Sequence, residues 1–147
     1  MKYTLRKIED NDIKELAIIM KQAFSCEPWH ENWNEKSCYD RLMLFNHISS
    51  SINCALIDEN NSLLGAAIGY VVPFLNEKEY AFQEFFIAPE FKNNHLGTFF
   101  MNELLSSLKE NGVTKIKFYT SGSLDKFYSK FGFQKVNNEY LMDLKIQ

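Results

Sequence analysis

Proline, cysteine and glycine are all scarce in this chain, and no excess of positive charge is present. Among its 147 residues are 3 Pro, 3 Cys and 6 Gly, which excludes a proline-rich linker and a dense disulfide framework. The formal net charge is −3, so there is no basic field to attract nucleic acid or a membrane surface. Because no repeat or low-complexity tract divides the sequence, we expect a single domain over 1–147.

Long apolar runs are also missing. The longest, over 63–75, is interrupted by glycine and proline and is shorter than the roughly 20 residues of a membrane span, so a buried strand is expected there. The N-terminal residues lack the apolar region of a signal peptide. Three cysteines, Cys26, Cys38 and Cys54, cannot all pair with one another, which favours reduced thiols in a cytoplasmic protein.

What the sequence does contain is clear periodicity. Alternating side chains predict strands over 3–7, 53–58, 63–72, 79–87 and 113–119, with one or two closing strands in 133–145. Helical spacing predicts helices that begin near 13, 35, 96 and 123 and end near 25, 47, 111 and 131. Asp12 and Glu15 have the spacing of a capping box for the first helix. This order indicates a mixed sheet with helices on its faces.

The join between strand 79–87 and the helix from 96 is the most informative segment. A helix N-terminus presents N–H groups without intrahelical partners and favours negative charge. Many such joins bind nothing, so the geometry alone indicates only a candidate phosphate site.

Two motifs add to that indication. Residues 86–98, FIAPEFKNNHLGT, resemble the acyl-CoA-binding motif of the GNAT superfamily of N-acetyltransferases, and residues 127–133, FYSKFGF, resemble a second motif of that family. The resemblance implies an α/β fold with a central mixed, mostly antiparallel sheet of roughly six or seven strands and about four helices. It also implies transfer of the acetyl group of acetyl-CoA to a primary amine, without a metal.

Carried onto this sequence, the resemblance assigns a cofactor-binding set. Strand residues Phe85, Phe86 and Ile87 are expected beside the acetyl group and the pantetheine arm, where an N–H aimed at the carbonyl would stabilise an oxyanion. The pyrophosphate is expected against Lys92, Asn93, Asn94, His95, Leu96, Gly97 and Thr98, and Ser121 is expected at the rim of the site near Tyr128. His95 stands where the family has a glycine, and Lys92 where it has Arg or Gln.

The resemblance also suggests the catalytic pair. Tyr128 matches the family's general acid, and a phenol is protonated at pH 7 without any tuning of its pKa. A tyrosine that only packs its ring is the alternative. Glu84 is the first candidate for the general base; the alternative is that it is only an edge or solvent-facing carboxylate without a catalytic role.

The acceptor is expected near residues 24–35, a segment similar to part of aminoglycoside 6′-N-acetyltransferase-like proteins. Glu27, Trp29, His30 and Trp33 would form the substrate-binding set. Indole faces and carboxylates suit a small cationic amine, such as an aminoglycoside or a polyamine. Alternatively, the two tryptophans only fix the loop to the core. A zinc site at Cys26, His30 and Cys38 has no usual spacing and lacks a fourth ligand.

Two other functions compete with small-amine acetylation. One is acetylation of a peptide N-terminus or lysine, which a wide cleft would favour. The other is a non-catalytic CoA-binding regulatory domain, suggested by His95, Lys92 and Ser121. Family members are often dimers, which makes a homodimer a candidate assembly by analogy alone.

Overall fold

The computed structural model of the protein describes residues 2–92 and 95–146. In chain order, the elements are β1 (Tyr3–Lys7), α1 (Ile13–Ser25), α2 (Glu35–Asn46), β2 (Cys54–Asp58), β3 (Leu63–Phe74), β4 (Glu77–Ile87), α3 (Leu96–Glu110), β5 (Lys115–Lys117) and α4 (Asp125–Ser129). Short 3-10 turns precede α1, α3 and α4. No helix within the described ranges is both long and apolar enough to cross a membrane.

The sheet has the order β1-β2-β3-β4-β5, with three antiparallel neighbours and one parallel pair, β4 with β5. The mostly antiparallel character and the four helices agree with the sequence, but the expected six or seven strands are too many: the described residues form five. Residues 133–145 have no regular secondary structure and are largely exposed. Alternation of side chains reflects only neighbouring residues, whereas a strand must also form hydrogen bonds with an adjacent strand. The last strand of the sheet, β5, pairs over only three residues and so offers a short edge.

The start of α1 also differs from the prediction. Asp12 makes no capping bond to that helix; its carboxylate instead accepts from the Glu9 N–H at 2.8 Å and from both terminal nitrogens of Arg6, at 2.8 and 3.0 Å. The strong donors of Arg6 therefore fix the position of Asp12. The second helix is capped by Asn34, whose side chain accepts from the Ser37 N–H at 2.8 Å.

Two apolar layers enclose the sheet. One consists of α1 and α2 packed on one face, with Leu16, Met20 and Leu42 fully buried; the other is formed by α3 on the opposite face, with Phe100 and Leu104 fully buried. Each strand residue therefore contributes to one layer or the other according to its alternation.

A β-bulge in β4 lies just beyond the residues that pair with β5. The register with β3 shifts between Ile68 and Gly69, so Gln83 is an extra residue in β4. Gly69 is required here, because a Cβ at this position would lie 2.3 Å from the Tyr80 ring. Strand β5 pairs with β4 only over 79–81, before this bulge. Beyond it, the β5 side of β4 has no neighbouring strand among the described residues.

Candidate functional site

The open edge of β4 presents backbone groups of Phe85 and Ile87. The Ala88 N–H donates to the Leu64 carbonyl at 2.7 Å, which fixes the direction of the ladder toward β3. Because backbone groups alternate in direction along an antiparallel pair, those of Phe85 and Ile87 point away from β3, toward the side where β5 has ended. Their side chains lie in the α3 layer, whereas that of Phe86 is buried in the α1–α2 layer.

The N-terminus of α3 lies beside this edge. His95 is the residue before the helix, with φ 59° and ψ 12°. Histidine thus adopts the left-handed conformation that glycine adopts at lower cost. Leu96 is buried, and a Cβ on Gly97 would lie 3.4 Å from the Phe127 ring of α4 and 3.9 Å from Ile87. Asn93 and Asn94, also predicted to contact the cofactor, lie outside the described residues.

A cation that was not among the residues predicted from the sequence lies at the N-terminus of α3. Lys130, just after α4, donates from its Nζ atom to Thr98 Oγ1 at 2.9 Å, and the same Nζ atom lies 4.9 Å from the Phe127 ring centroid. Lys130 lies between the Phe-Tyr pair and the Gly-Phe pair that carry the resemblance of the segment 127–133, so the motif did not single it out. Its position follows from the packing of α4 against α3.

Lys92, by contrast, is directed away from the helix end. Its Nζ atom donates to the Glu27 carbonyl at 2.8 Å and lies 5.9 Å from the Trp29 ring centroid. The cation expected beside phosphate therefore joins the loop before α3 to the segment 27–29. Ser121 is exposed, and its hydroxyl bonds to that of Ser123 at 2.8 Å.

Tyr128 is buried among aromatic rings of the α3 layer. Its ring centroid lies 4.7 Å from that of Phe118, 5.1 Å from that of Phe127 and 5.7 Å from that of Phe133. Burial raises the pKa of Tyr128 to about 12, with a hydrogen bond from Thr120 acting in the opposite direction. The phenol is therefore a neutral proton donor throughout the physiological range.

Glu84 lies on the other face of β4, against α2. Its Oε1 atom accepts from Nε of Arg41, and only 10 % of its side chain is exposed. Burial raises the pKa of Glu84, and the positive charge and hydrogen bond of Arg41 oppose the shift. Arg41 follows the buried position Cys38 by three residues, so helical spacing alone places it beside the apolar stripe of α2.

The predicted acceptor residues lie together in the loop between α1 and α2, but their interacting surfaces are partly occupied. The Trp33 indole donates to Glu31 at 3.1 Å, and the Arg41 guanidinium lies 5.7 Å from the Trp33 ring centroid. The Trp29 ring packs edge-on against the Phe24 ring, with 4.9 Å between the ring centroids, and the Lys92 ammonium lies over the Trp29 ring. Each indole thus already contacts a cation of the protein itself. Glu27 and His30 are exposed.

Two of the three thiols are buried. Cys38 and Cys54 are buried, and burial raises the pKa of each to about 11, which makes them poor nucleophiles at pH 7. Within the part of the chain that the structure describes, no cluster of three His, Cys, Asp or Glu residues is arranged to hold a metal ion.

The sequence-predicted residues thus divide between two faces. Phe85, Ile87, Gly97 and Tyr128 belong to the α3 face, whereas Glu84, Trp29 and Trp33 belong to the α1–α2 face. The edge of β4 beyond Ala81, where its pairing with β5 ends, lies between these faces, and we call it the gap between β4 and β5.

Comparisons with known proteins bear on the family and the fold of the chain. The model of the acetyltransferase (GNAT) family matches residues 16–133. No curated protein matches the sequence. Among solved structures, a possible acetyltransferase from Clostridium difficile 630 is similar with a TM-score of 0.80 and 8 % identity, with 99 % of this chain and 100 % of that one covered.

Two further structures share the fold at low identity. The glucosamine-6-phosphate N-acetyltransferase from Arabidopsis thaliana has a TM-score of 0.71 and 17 % identity, with 100 % of both chains covered. A predicted acetyltransferase with acetyl-CoA from Clostridium acetobutylicum has a TM-score of 0.71 and 19 % identity, covering 97 % of this chain and 96 % of that one.

Proposed function

The chain belongs to the acetyltransferase (GNAT) family and is an acetyl-CoA-dependent N-acetyltransferase; from this premise, we propose that it transfers the acetyl group directly to a primary amine held in the gap between β4 and β5. The observation that carries the proposal is that the pairing of β5 with β4 ends at Ala81, before the bulge at Gln83. It leaves the outward backbone groups of Phe85 and Ile87 beside the N-terminus of α3.

Those backbone groups supply two interactions. An N–H of this edge donates to the acetyl carbonyl and stabilises the negative charge that forms on its oxygen when the amine attacks. The neighbouring N–H and C=O groups hold the pantetheine amides as an added strand would. Phe86 contributes through burial of its ring beneath the edge.

The phosphates of the cofactor bind at the N-terminus of α3. Main-chain N–H groups of residues 95–98 surround the pyrophosphate, and the αL conformation of His95 turns the chain into the helix. Lys130 and the Thr98 hydroxyl add a cation and a donor there. Ser121 remains in the proposed contact set at the rim near Tyr128, and Lys92 would reach the phosphates only by leaving the Glu27 carbonyl.

Tyr128 and Glu84 carry the two proton transfers. The neutral amine nitrogen bonds to the acetyl carbon, the carbon–sulfur bond breaks, and Tyr128 donates its proton to the departing thiolate. The second proton that the nitrogen loses as the amide forms restores the Tyr128 phenol. Glu84 accepts the proton that the ammonium must lose before attack. A buried carboxylate with a raised pKa is a better base than an exposed one, which supports this role.

For the acceptor, a small amine is the proposed class, bound against Glu27, Trp29, His30 and Trp33. Exposed carboxylates such as Glu27 favour a cationic amine of the aminoglycoside or polyamine type. The cations already against both indoles count against a purely polycationic one. A peptide amine and a non-catalytic CoA-binding role remain the competing functions.

Thermal unfolding with and without saturating acetyl-CoA tests the proposal. A ligand at 100 times its Kd adds about 2.7 kcal/mol to the free energy of unfolding, which for a domain of this size raises Tm by roughly 5–11 °C. Release of free thiol from acetyl-CoA in the presence of amines tests catalysis. Tyr128→Phe should keep the Tm shift and lose most of the thiol release. A shift without any release would support the non-catalytic role, and no shift would reject acetyl-CoA binding.

A further inference from the structure

Arg41 of α2 is held in one orientation beside the acceptor side of β4. Its Nε atom donates to Glu84, and its Cζ atom lies 5.0 Å from the Phe45 ring centroid and 5.7 Å from that of Trp33. Three contacts thus fix the guanidinium, yet 36 % of the Arg41 side chain is exposed. Such a guanidinium loses little further conformational freedom when it binds a ligand.

The outer donors of this guanidinium are available. Nε is the atom that contacts Glu84, and neither Nη1 nor Nη2 donates a hydrogen bond to any residue within 2–92 or 95–146. These two nitrogens present parallel N–H groups that match the two oxygens of a carboxylate or a phosphate. A ligand with such an acidic group would bind end-on, without displacing Glu84.

The charges around this position favour an anion next to an amine. Lys92 lies against Trp29 and Arg41 against Trp33, so a ligand with several positive charges would face two cations of the protein. Glu84 and Glu31 lie close enough for the charge of Glu31 to raise the pKa of Glu84. Glu84 is therefore suited to bind an ammonium group, and Arg41 is suited to bind an acidic group.

We propose that the Arg41–Glu84 pair selects a zwitterionic acceptor, in which the amine to be acetylated lies beside Glu84 and a carboxylate or phosphate a few bonds away binds Nη1 and Nη2 of Arg41. This inference rests on the proposed function and specifies its substrate class. An α-amino acid is the smallest ligand with both groups, and a phosphorylated amino alcohol is the phosphate counterpart.

Matched pairs of amines test the inference through thiol release at saturating acetyl-CoA. Tyrosine is compared with tyramine, histidine with histamine, and O-phosphoethanolamine with ethanolamine; spermidine represents the polycations. In at least one pair, the acid-bearing member should have a kcat/KM about tenfold to hundredfold higher, as expected for a charged hydrogen-bonded pair. The pairs that respond distinguish a carboxylate from a phosphate.

Variants assign the preference to Arg41. Arg41→Gln should abolish the preference through a higher KM for the acid-bearing member, while the acetyl-CoA Tm shift persists. Arg41→Lys keeps a positive charge beside Glu84 but lacks the paired N–H groups, so it should retain the fold and lose most of the preference. Lys36→Gln removes a charge from the exposed side of the same helix and should leave the preference intact.

Equal or faster turnover of the acid-free members, or of spermidine, would overturn the inference and leave the proposed acetyl transfer standing. A protein that is stabilised by acetyl-CoA but releases thiol with no member of any pair would also overturn it. Absence of the acetyl-CoA Tm shift in the wild-type protein would reject the proposed function itself, and the inference with it.

Discussion

The Nζ atom of Lys130 lies 2.9 Å from Oγ1 of Thr98, in the first turn of α3. The contact joins the end of α4 to the helix terminus at which the cofactor phosphates are proposed to bind. A cation at this position adds to the favourable electrostatics that the helix N-terminus already offers to an anion.

Lys130→Gln should therefore weaken acetyl-CoA binding. Loss of one exposed charged contact to a phosphate predicts a Kd up to about fivefold higher at low salt, with a smaller difference at high salt because exposed charges are screened. Calorimetric titration at two ionic strengths measures both effects. Lys126→Gln removes the same charge from α4 itself and should leave the Kd unchanged. Equal effects of the two substitutions would show that only net charge matters.

The bulge in β4 predicts an unusually sensitive glycine. In Gly69→Ala the new methyl group would lie 2.3 Å from the Tyr80 ring, whose hydroxyl is held by the Ile52 carbonyl at 2.7 Å. Overpacking of this kind should lower the free energy of unfolding by about 2–3 kcal/mol. Urea unfolding measures the change. Gly122→Ala, which meets nothing within 4 Å, is the matched control and should be nearly neutral. Similar losses in both variants would contradict the packing argument.

The sequence predicted features that depend on neighbouring residues better than contacts between residues far apart in the chain. The bounds of β1 and α1 and the start of α3 follow from hydrophobic periodicity, which is a property of neighbouring residues. The contact of Arg41 with Glu84 joins residues 43 positions apart, and no local pattern reports it. The same is true of Lys92, whose partner is the Glu27 carbonyl 65 positions away.

The wrong number of predicted strands has a similar origin. Residues 133–145 alternate as a strand does, but pairing depends on whether an edge of sufficient length is available. The sequence likewise could not show that Lys92 and Arg41 fold against the two indoles. Resemblance to the family assigned a cofactor segment residue by residue, whereas it described the acceptor side, where this chain has its own contacts, in less detail.

His95 provides a test of the departure from the family's glycine. His95→Val should lower the free energy of unfolding by about 1–2 kcal/mol, because a β-branched residue is strained at a φ of 59°. His95→Gly should keep the stability and tighten acetyl-CoA binding, since no side chain would then stand between the backbone and the phosphate. Leu75→Gly relieves the same strain at an exposed residue with φ 55° and should not alter the Kd. Weaker acetyl-CoA binding by His95→Gly would instead assign the imidazole a direct contact.

The buried thiol of Cys54 predicts a specific loss of stability in alkali. Burial raises its pKa from 9.0 to about 11, so above pH 9 the unfolded chain releases a proton that the folded chain retains. The free energy of unfolding should therefore fall between pH 9 and about 11, by at most about 1.4 kcal/mol per pH unit from this group. Cys54→Ala leaves a small cavity and lowers stability by a constant amount at pH 7–8. Its deficit relative to the wild type should shrink as the pH rises through this window, measured by urea unfolding at each pH. A deficit that stays constant to pH 11 would show that the folded protein ionises this thiol as readily as the unfolded chain does.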